Sequence, residues 1–459
     1  MSHRKAGQRR SAQRKAGRAI VACLLLGALP PVARAAVGDG RGGLSLISLG
    51  VDGTGSDGAS FTPSISADGR YVAFASAAST LVAGDTNGGE DVFVFDRVNR
   101  TSERVSVSSV GVEGNGASYD PAISADGRYV AFTSAASNLT SGDDNAQIDV
   151  FVRDTVDRVT TLVSVGPQGA MGDLPSVAPS ISGNGRFVAF ESDATTLVTD
   201  DSNGTGDVFI RDLLTGVTRR LSVAGHNQQT ESPSFGAAIS ADGSSVAFES
   251  FSSRLVPDDT NGALDVFVAD LPTGTINRVS LATDGGQANE RSYSPSISAD
   301  GRIVAFSSFA DNLVPDDTNG LLDVFLRRRD RQTTTRLSVG PDGAQGDGLS
   351  FAPIVSADGA RIVFSSEAGN LVRGDSNGIR DVFVASTDSG ALRRLSRPGK
   401  RRGQGDGPSL GPVLDGSGLM VAFASFATNL VDGDTNGESD VFVTQANFKS
   451  AGRARKGGG

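Results

Sequence analysis

"DTNGGEDVFVFD" spans Asp85 to Asp96, and close copies of it follow: "DDNAQIDVFVRD" from Asp143, "DSNGTGDVFIRD" from Asp201, "DTNGALDVFVAD" from Asp259, "DTNGLLDVFLRR" from Asp317, "DSNGIRDVFVAS" from Asp375 and "DTNGESDVFVTQ" from Asp434. The leading Asp advances by 58 residues five times and then by 59. A second marker keeps step, since the aromatic that closes "VAF" or "IVF" falls at Phe74, Phe132, Phe190, Phe248, Phe306, Phe364 and Phe423. Self-similarity at one fixed period decides the architecture before any residue receives a role.

One unit reads "PAISADGRYVAFTSAASNLTSGDDNAQIDVFVRDTVDRVTTLVSV". "PAIS" and "YVAFTS" are short, apolar or alternating runs joined by the tight turn "ADGR", so they predict two strands of a hairpin. "DVFVRD" predicts a third strand and "TTLVSV" a fourth. No stretch carries the 3.6-residue period of a helix. Seven units of four antiparallel strands describe a seven-bladed β-propeller, with an open solenoid as the alternative. The ends favour the ring: "LSLISL" at Leu44 to Leu49 matches the fourth strand of a unit, and the last unit stops at "DVFVTQ" without one. Pairing Leu44–Leu49 against Val441–Thr444 completes the last blade and leaves no open sheet edge. Alternation places Val72 and Phe74 on one side of their strand, and Val92 and Val94 on the side opposite Phe93, all of them buried.

"PSISADGRYVAF" at Pro63, "PAISADGRYVAF" at Pro121, "PSISGNGRFVAF" at Pro179 and "PSISADGRIVAF" at Pro295 resemble the WD-like repeat of TolB-type propellers. The resemblance covers essentially all of 44–445 and implies the propeller fold. It implies no single activity, because propellers of this kind include periplasmic envelope partners, peptidase gating domains and some polysaccharide lyases. This chain's units are longer, and the excess lies in the loop that carries the opening motif.

Within that loop the leading Asp, the Asn two residues on and the Asp before the strand have the spacing of positions 3, 5 and 9 of a DxDxDGxxD calcium loop. The candidate metal ligands are therefore Asp85, Asn87 and Asp91; Asp143, Asn145 and Asp149; Asp201, Asn203 and Asp207; Asp259, Asn261 and Asp265; Asp317, Asn319 and Asp323; Asp375, Asn377 and Asp381; and Asp434, Asn436 and Asp440. Position 1 is Ala83, Ser141, Thr199, Pro257, Pro315 or Arg373 in six units, and only the last has an acid there, Asp432. The other reading is turn chemistry alone, since Asp and Asn side chains cap their own backbone and Asn-Gly marks a tight turn. Either way, a propeller sends all seven of these loops to one face, together with the connections between blades.

Residues 1–18 hold seven Lys or Arg and no acid, 19–32 are mostly apolar, and "ARA" at 33–35 suits a signal peptidase. A Sec-type signal over 1–35, a propeller over 36–446 and a disordered basic, Gly-rich tail over 447–459 are expected, in a secreted or periplasmic protein. "IVAC" at Cys23 imitates a lipoprotein box, but its apolar residues mostly follow the Cys. Of 42 basic and 52 acidic residues, eight basic and no acidic ones lie in 1–35, which leaves 34 against 52, or −18. That charge argues against nucleic acid and anionic membranes as partners. Cys23, the single Cys, leaves with the signal. His226, the one His beyond it, sits in the connection "AGHNQQTES" and is read as a solvated loop residue. No His-ligated metal or Cys–His pair can be assembled from this set. The expected function is a noncatalytic, monomeric, exported propeller that binds a protein or polymer on one face, with calcium as the cation its loops would take. The alternative is a carboxylate-based polysaccharide lyase or hydrolase.

Overall fold

The computed structural model describes residues 43–225, 228–399 and 403–448. The expected signal, Cys23, His226 and the tail from 449 lie outside the described residues.

The first blade is built from Ser60–Ile65, Tyr71–Ser76, Asp91–Asp96 and Thr101–Arg104, in that order from the innermost strand outward. Five more sheets repeat this order. The seventh contains Ser409–Leu414, Met420–Ser425 and Asp440–Gln445, and its outermost strand is Ser45–Leu46 from the other end of the chain, paired as Ser45 with Val443 and Leu46 with Phe442. The ring is closed as the sequence predicts. Its last joint matches the others: Ser60 N–H donates to Ser439 O at 2.6 Å, as Ser118 does to Glu90 O at 2.7 Å and Ser292 to Leu264 O at 2.8 Å.

The closing strand is shorter than the expected 44–49, and the fourth strand of the second blade covers Val159–Leu162 instead of reaching Val165. A serine ends each of them. Ser48 Oγ accepts Val441 N–H at 3.1 Å and donates to Asp440 at 2.5 Å, so a side chain takes over from the backbone ladder. Ser164 does the same with Val150 and Asp149.

The core lies between blades. In each one a phenylalanine of the second strand faces one of the third, for example Phe74 and Phe93 with ring centroids 6.0 Å apart and Phe306 and Phe325 at 5.9 Å. Ala73, Val92 and Val94, on the opposite side of the first blade, pack against Val130, Phe132 and Phe151 of the second. Every middle strand is thus covered on both faces, which explains continuous apolar runs in place of strict alternation.

The innermost strands carry a feature with no sequence signal. Each has a bulge whose residue adopts positive φ: Thr62 (47°), Asp120 (50°), Ala178 (52°), Gly236 (67°), Ser294 (53°), Ala352 (51°) and Gly411 (58°). Only two of the seven are glycine, the residue for which this conformation is cheap.

Candidate functional site

The Asp–Asn–Asp loops join second to third strands and sit beside the blade-to-blade connections, on one face of the ring. In every loop the Asn is the hub. Asn87 Oδ1 accepts Gly89 N–H at 3.0 Å, while its Nδ2 donates to Asp91 Oδ2 at 2.8 Å and to Gly114 O, in the following connection, at 3.0 Å. Asn145, Asn203, Asn261, Asn319, Asn377 and Asn436 make the same three contacts. The amide therefore turns its nitrogen, not its oxygen, toward the trailing carboxylate. The trailing residues Asp91, Asp149, Asp207, Asp265, Asp323, Asp381 and Asp440 are buried, and each also accepts a serine hydroxyl from just beyond the fourth strand.

A buried carboxylate needs a counter-charge or a strong hydrogen-bond set. In five blades that charge is an arginine of the fourth strand. Arg104 Nη1 lies 3.1 Å from both Asp85 Oδ1 and Asp91 Oδ2. Arg220 reaches Asp201 and Asp207 at 3.1 and 3.3 Å, Arg278 reaches Asp259 and Asp265 at 3.0 and 3.4 Å, Arg336 reaches Asp317 and Asp323 at 2.7 and 3.4 Å, and Arg394 reaches Asp375 and Asp381 at 2.7 and 2.9 Å. A Glu or Gln from the blade connection completes the clamp by accepting the N–H that follows the leading Asp: Glu113, Gln229, Gln287, Gln345 and Gln404.

Blades 2 and 7 lack both parts. Leu162 and Leu46 stand where the arginines do, and Met171 and Gly55 where the Glu or Gln does. Burial raises Asp85, Asp201, Asp259, Asp317 and Asp375 above the usual carboxylate range, and the arginine beside each pulls the other way. Asp143 and Asp434 have no such partner. Burial first, and then the charges of Asp149 and Asp440, push each up to about 6.

The structure thus brings together the leading and trailing Asp of every loop, but Asp432 is exposed. Among the described residues, no three acidic or histidine side chains gather as a metal-holding group. Sequence reasoning missed the arginines. Their signal was present, as "RVSV", "RLSV", "RVSL", "RLSV" and "RLSR" return with the period, but these stretches register only as strands.

On the same face the channel mouth has two unlike sectors. Phe251, Phe309 and Phe426 follow the second strands of blades 4, 5 and 7 and are exposed. Phe251 is 6.2 Å from Phe235 and Phe309 is 6.2 Å from Tyr293, centroid to centroid, while blade 6 adds Phe351 beneath the Arg380 guanidinium at 4.3 Å. Blades 2 and 3 contribute carboxylates instead, and blade 4 adds one beside its phenylalanine. Gly236 N–H donates to Glu191 Oε1 at 2.6 Å and Ser294 N–H to Glu249 Oε2 at 3.1 Å, so each Glu holds the bulge of the next blade. Desolvation raises Asp120 and Glu191 and pushes Glu249 up to about 7.

The opposite face uses its aromatics internally. A Cβ on Gly127 would lie 2.2 Å from the Tyr71 ring, and one on Gly185 would lie 2.1 Å from Tyr129, so these rings are packed against the turn of the next blade.

No family model and no curated protein matches this chain. Solved structures do. An oligogalacturonate lyase from Vibrio parahaemolyticus aligns with a TM-score of 0.51 at 12% identity, over 89% of this chain and 95% of that one. The β-propeller domain of the trilobed protease from Pyrococcus furiosus, described as having an open velcro topology, aligns with a TM-score of 0.51 at 10% identity, over 85% and 96%. A putative TolB from Agrobacterium tumefaciens aligns with a TM-score of 0.42 at 15% identity, over 78% and 98%. At these identities the likeness is one of fold. No helix among the described residues is long and apolar enough to cross a membrane.

Proposed function

We propose that this is an exported, noncatalytic propeller that binds a protein or polymer partner at the channel mouth on the face of the Asp–Asn–Asp loops. One observation carries the reading: Phe251, Phe309 and Phe426 are exposed at corresponding positions of three blades on that mouth, whereas Tyr71 and Tyr129 on the other face are packed against neighbouring blades. Phe251 and Phe309 stand on adjacent blades, each backed by an aromatic of its own innermost strand, and large apolar side chains left exposed beside one another mark a docking site more often than a solvated rim. The adjacent Asp120 and Glu191, with the negative charge of the chain, favour a partner that offers aromatic or apolar groups beside basic ones. Affinity capture from the native extracellular or envelope fraction tests this. The triple variant Phe251→Ser, Phe309→Ser, Phe426→Ser should retain its melting temperature and lose the captured partner, and equal capture by both proteins contradicts the proposal.

A second reading, a carboxylate-based lyase or hydrolase, is favoured by Glu249, a carboxyl near neutrality at the channel mouth as a general acid or base requires. Its substrate class would include pectic oligomers, by way of the fold shared with an oligogalacturonate lyase. Two features weigh against it. Both Glu191 and Glu249 are already engaged with a neighbouring bulge, and an acidic mouth repels a polyuronate. Turnover of oligogalacturonate that disappears in Glu249→Gln would establish this reading in place of the first.

A further inference from the structure

Comparison of the seven loops singles out the last. In five blades the leading Asp directs Oδ1 at an arginine Nη1. Asp434 is only 8% exposed, and its Oδ1 is buried without a hydrogen-bond partner. It faces Asp440, which is fully buried and whose Oδ2 keeps the Asn436 contact but has no arginine. Asp406 is close enough to add its own charge. Asp143 of blade 2 has also lost its arginine, but it is only half-buried, so water can screen it.

We propose that the blade-7 loop holds one divalent cation of the calcium class where the other blades hold a guanidinium, with Asp434 and Asp440 as its carboxylate ligands. The chemistry of the position supports this. In blades 1, 3 and 4 the carbonyl before the leading Asp also accepts from the arginine, at Gly84, Asp200 and Asp258, and Gly433 is its counterpart in blade 7. Two carboxylates, a carbonyl and water form a hard, all-oxygen set. Calcium accepts such a set with irregular geometry, whereas magnesium demands a near-ideal octahedron. The replacement is paired, because Leu46 and Gly55 remove both the competing cation and the side chain that would crowd it. A Cβ at Gly55 meets nothing nearer than Asn436 Nδ2 at 3.9 Å. This inference does not depend on the partner reading.

The test restores the arginine clamp. Full-length protein stripped with EDTA is titrated with calcium chloride by calorimetry and melted with and without calcium, alongside Leu46→Arg/Gly55→Gln and Asp434→Asn. Wild type should take up calcium at millimolar concentration or below and melt higher with it. Leu46→Arg/Gly55→Gln should lose one calcium equivalent and melt in EDTA at or above the calcium-loaded wild type. Asp434→Asn, which keeps the side-chain shape should the double variant fail to fold, should lose the same equivalent. Absence of uptake by wild type, the result a shared proton would give, overturns the proposal. So does an unchanged number of calcium equivalents in Asp434→Asn.

Discussion

Arg278→Leu would give blade 4 the loop chemistry of blades 2 and 7 without the other changes those blades carry. The guanidinium is 6% exposed, Asp259 4% and Asp265 0%, so both carboxylates would be left buried with no charge opposite them. Removing one partner from a buried pair costs about 3–5 kcal/mol, mostly as the penalty of the stranded charge. The second substitution separates that penalty from lost packing. In Arg278→Leu/Asp259→Asn the stranded charge is gone, and the remaining cost should be about 1–2 kcal/mol, the scale of lost hydrogen bonds. Acid should act in the same direction. Asp434, already without arginine, is pushed up to about 6, and Asp259 in the variant should rise likewise. A carboxyl whose folded pKa is raised costs its full penalty above that pKa and sheds it as pH falls from there to the unfolded value of about 4. Urea unfolding of wild type, single and double variants at pH 8 and pH 5 reads all three terms. A cost below about 1 kcal/mol at pH 8 for the single variant, or one that Asp259→Asn does not relieve, would refute the assignment of arginine as the counter-charge of these loops.

Three further outcomes are expected. Deleting 36–50 removes the closing strand and the Ser48 hydroxyl from buried Asp440, so the melting temperature should fall sharply; an unchanged melt would mean the ring does not depend on that closure. Phe306→Ala empties a fully buried site against Phe325 and should cost about 3–5 kcal/mol in urea unfolding, whereas near-native stability would contradict the packing between blades. Glu249 is pushed from an ordinary carboxylate value up to about 7 by desolvation, with Glu191 adding to the rise. Its neutral form therefore favours the fold, and stability should decline as pH rises from about 4.5 to about 7, by up to roughly 3 kcal/mol. Glu249→Gln should flatten that stretch of the stability–pH curve, and an unaltered slope would show that the burial of this carboxyl is not what sets it.

What was legible follows the period. Repetition at 58 residues exposes the strands, the missing strand of the last unit and the shared face of the loops, because each rests on residues adjacent in sequence or aligned between units. The clamp was harder to read. Arg104 lies 13 residues beyond Asp91 and 19 beyond Asp85, across a whole strand and turn, and a lone Arg in a polar fourth strand looks like a solvated side chain. Its absence from blades 2 and 7 then passes for ordinary variation, although Leu46 and Gly55 change together. The bulges were invisible for another reason. Thr62, Ala178 and Ala352 have no preference for positive φ, and the conformation is held in places by a neighbour's side chain, as Thr133 Oγ1 accepts Ala178 N–H at 3.2 Å. The exposed phenylalanines were equally silent, since outward and inward Phe look alike until the strand end that carries them is placed.

The central functional claim concerns which face of the ring meets a partner, and placing a photo-crosslinking amino acid at position 309 on the loop face, and separately at position 187 on the turn face, where Phe187 opens the second strand of blade 3 beside the Gly243 turn of blade 4, tests it directly. Irradiation in the native extracellular or envelope fraction should yield a discrete adduct from position 309 and none from position 187; adducts from 187 alone, or equally from both, would contradict the account.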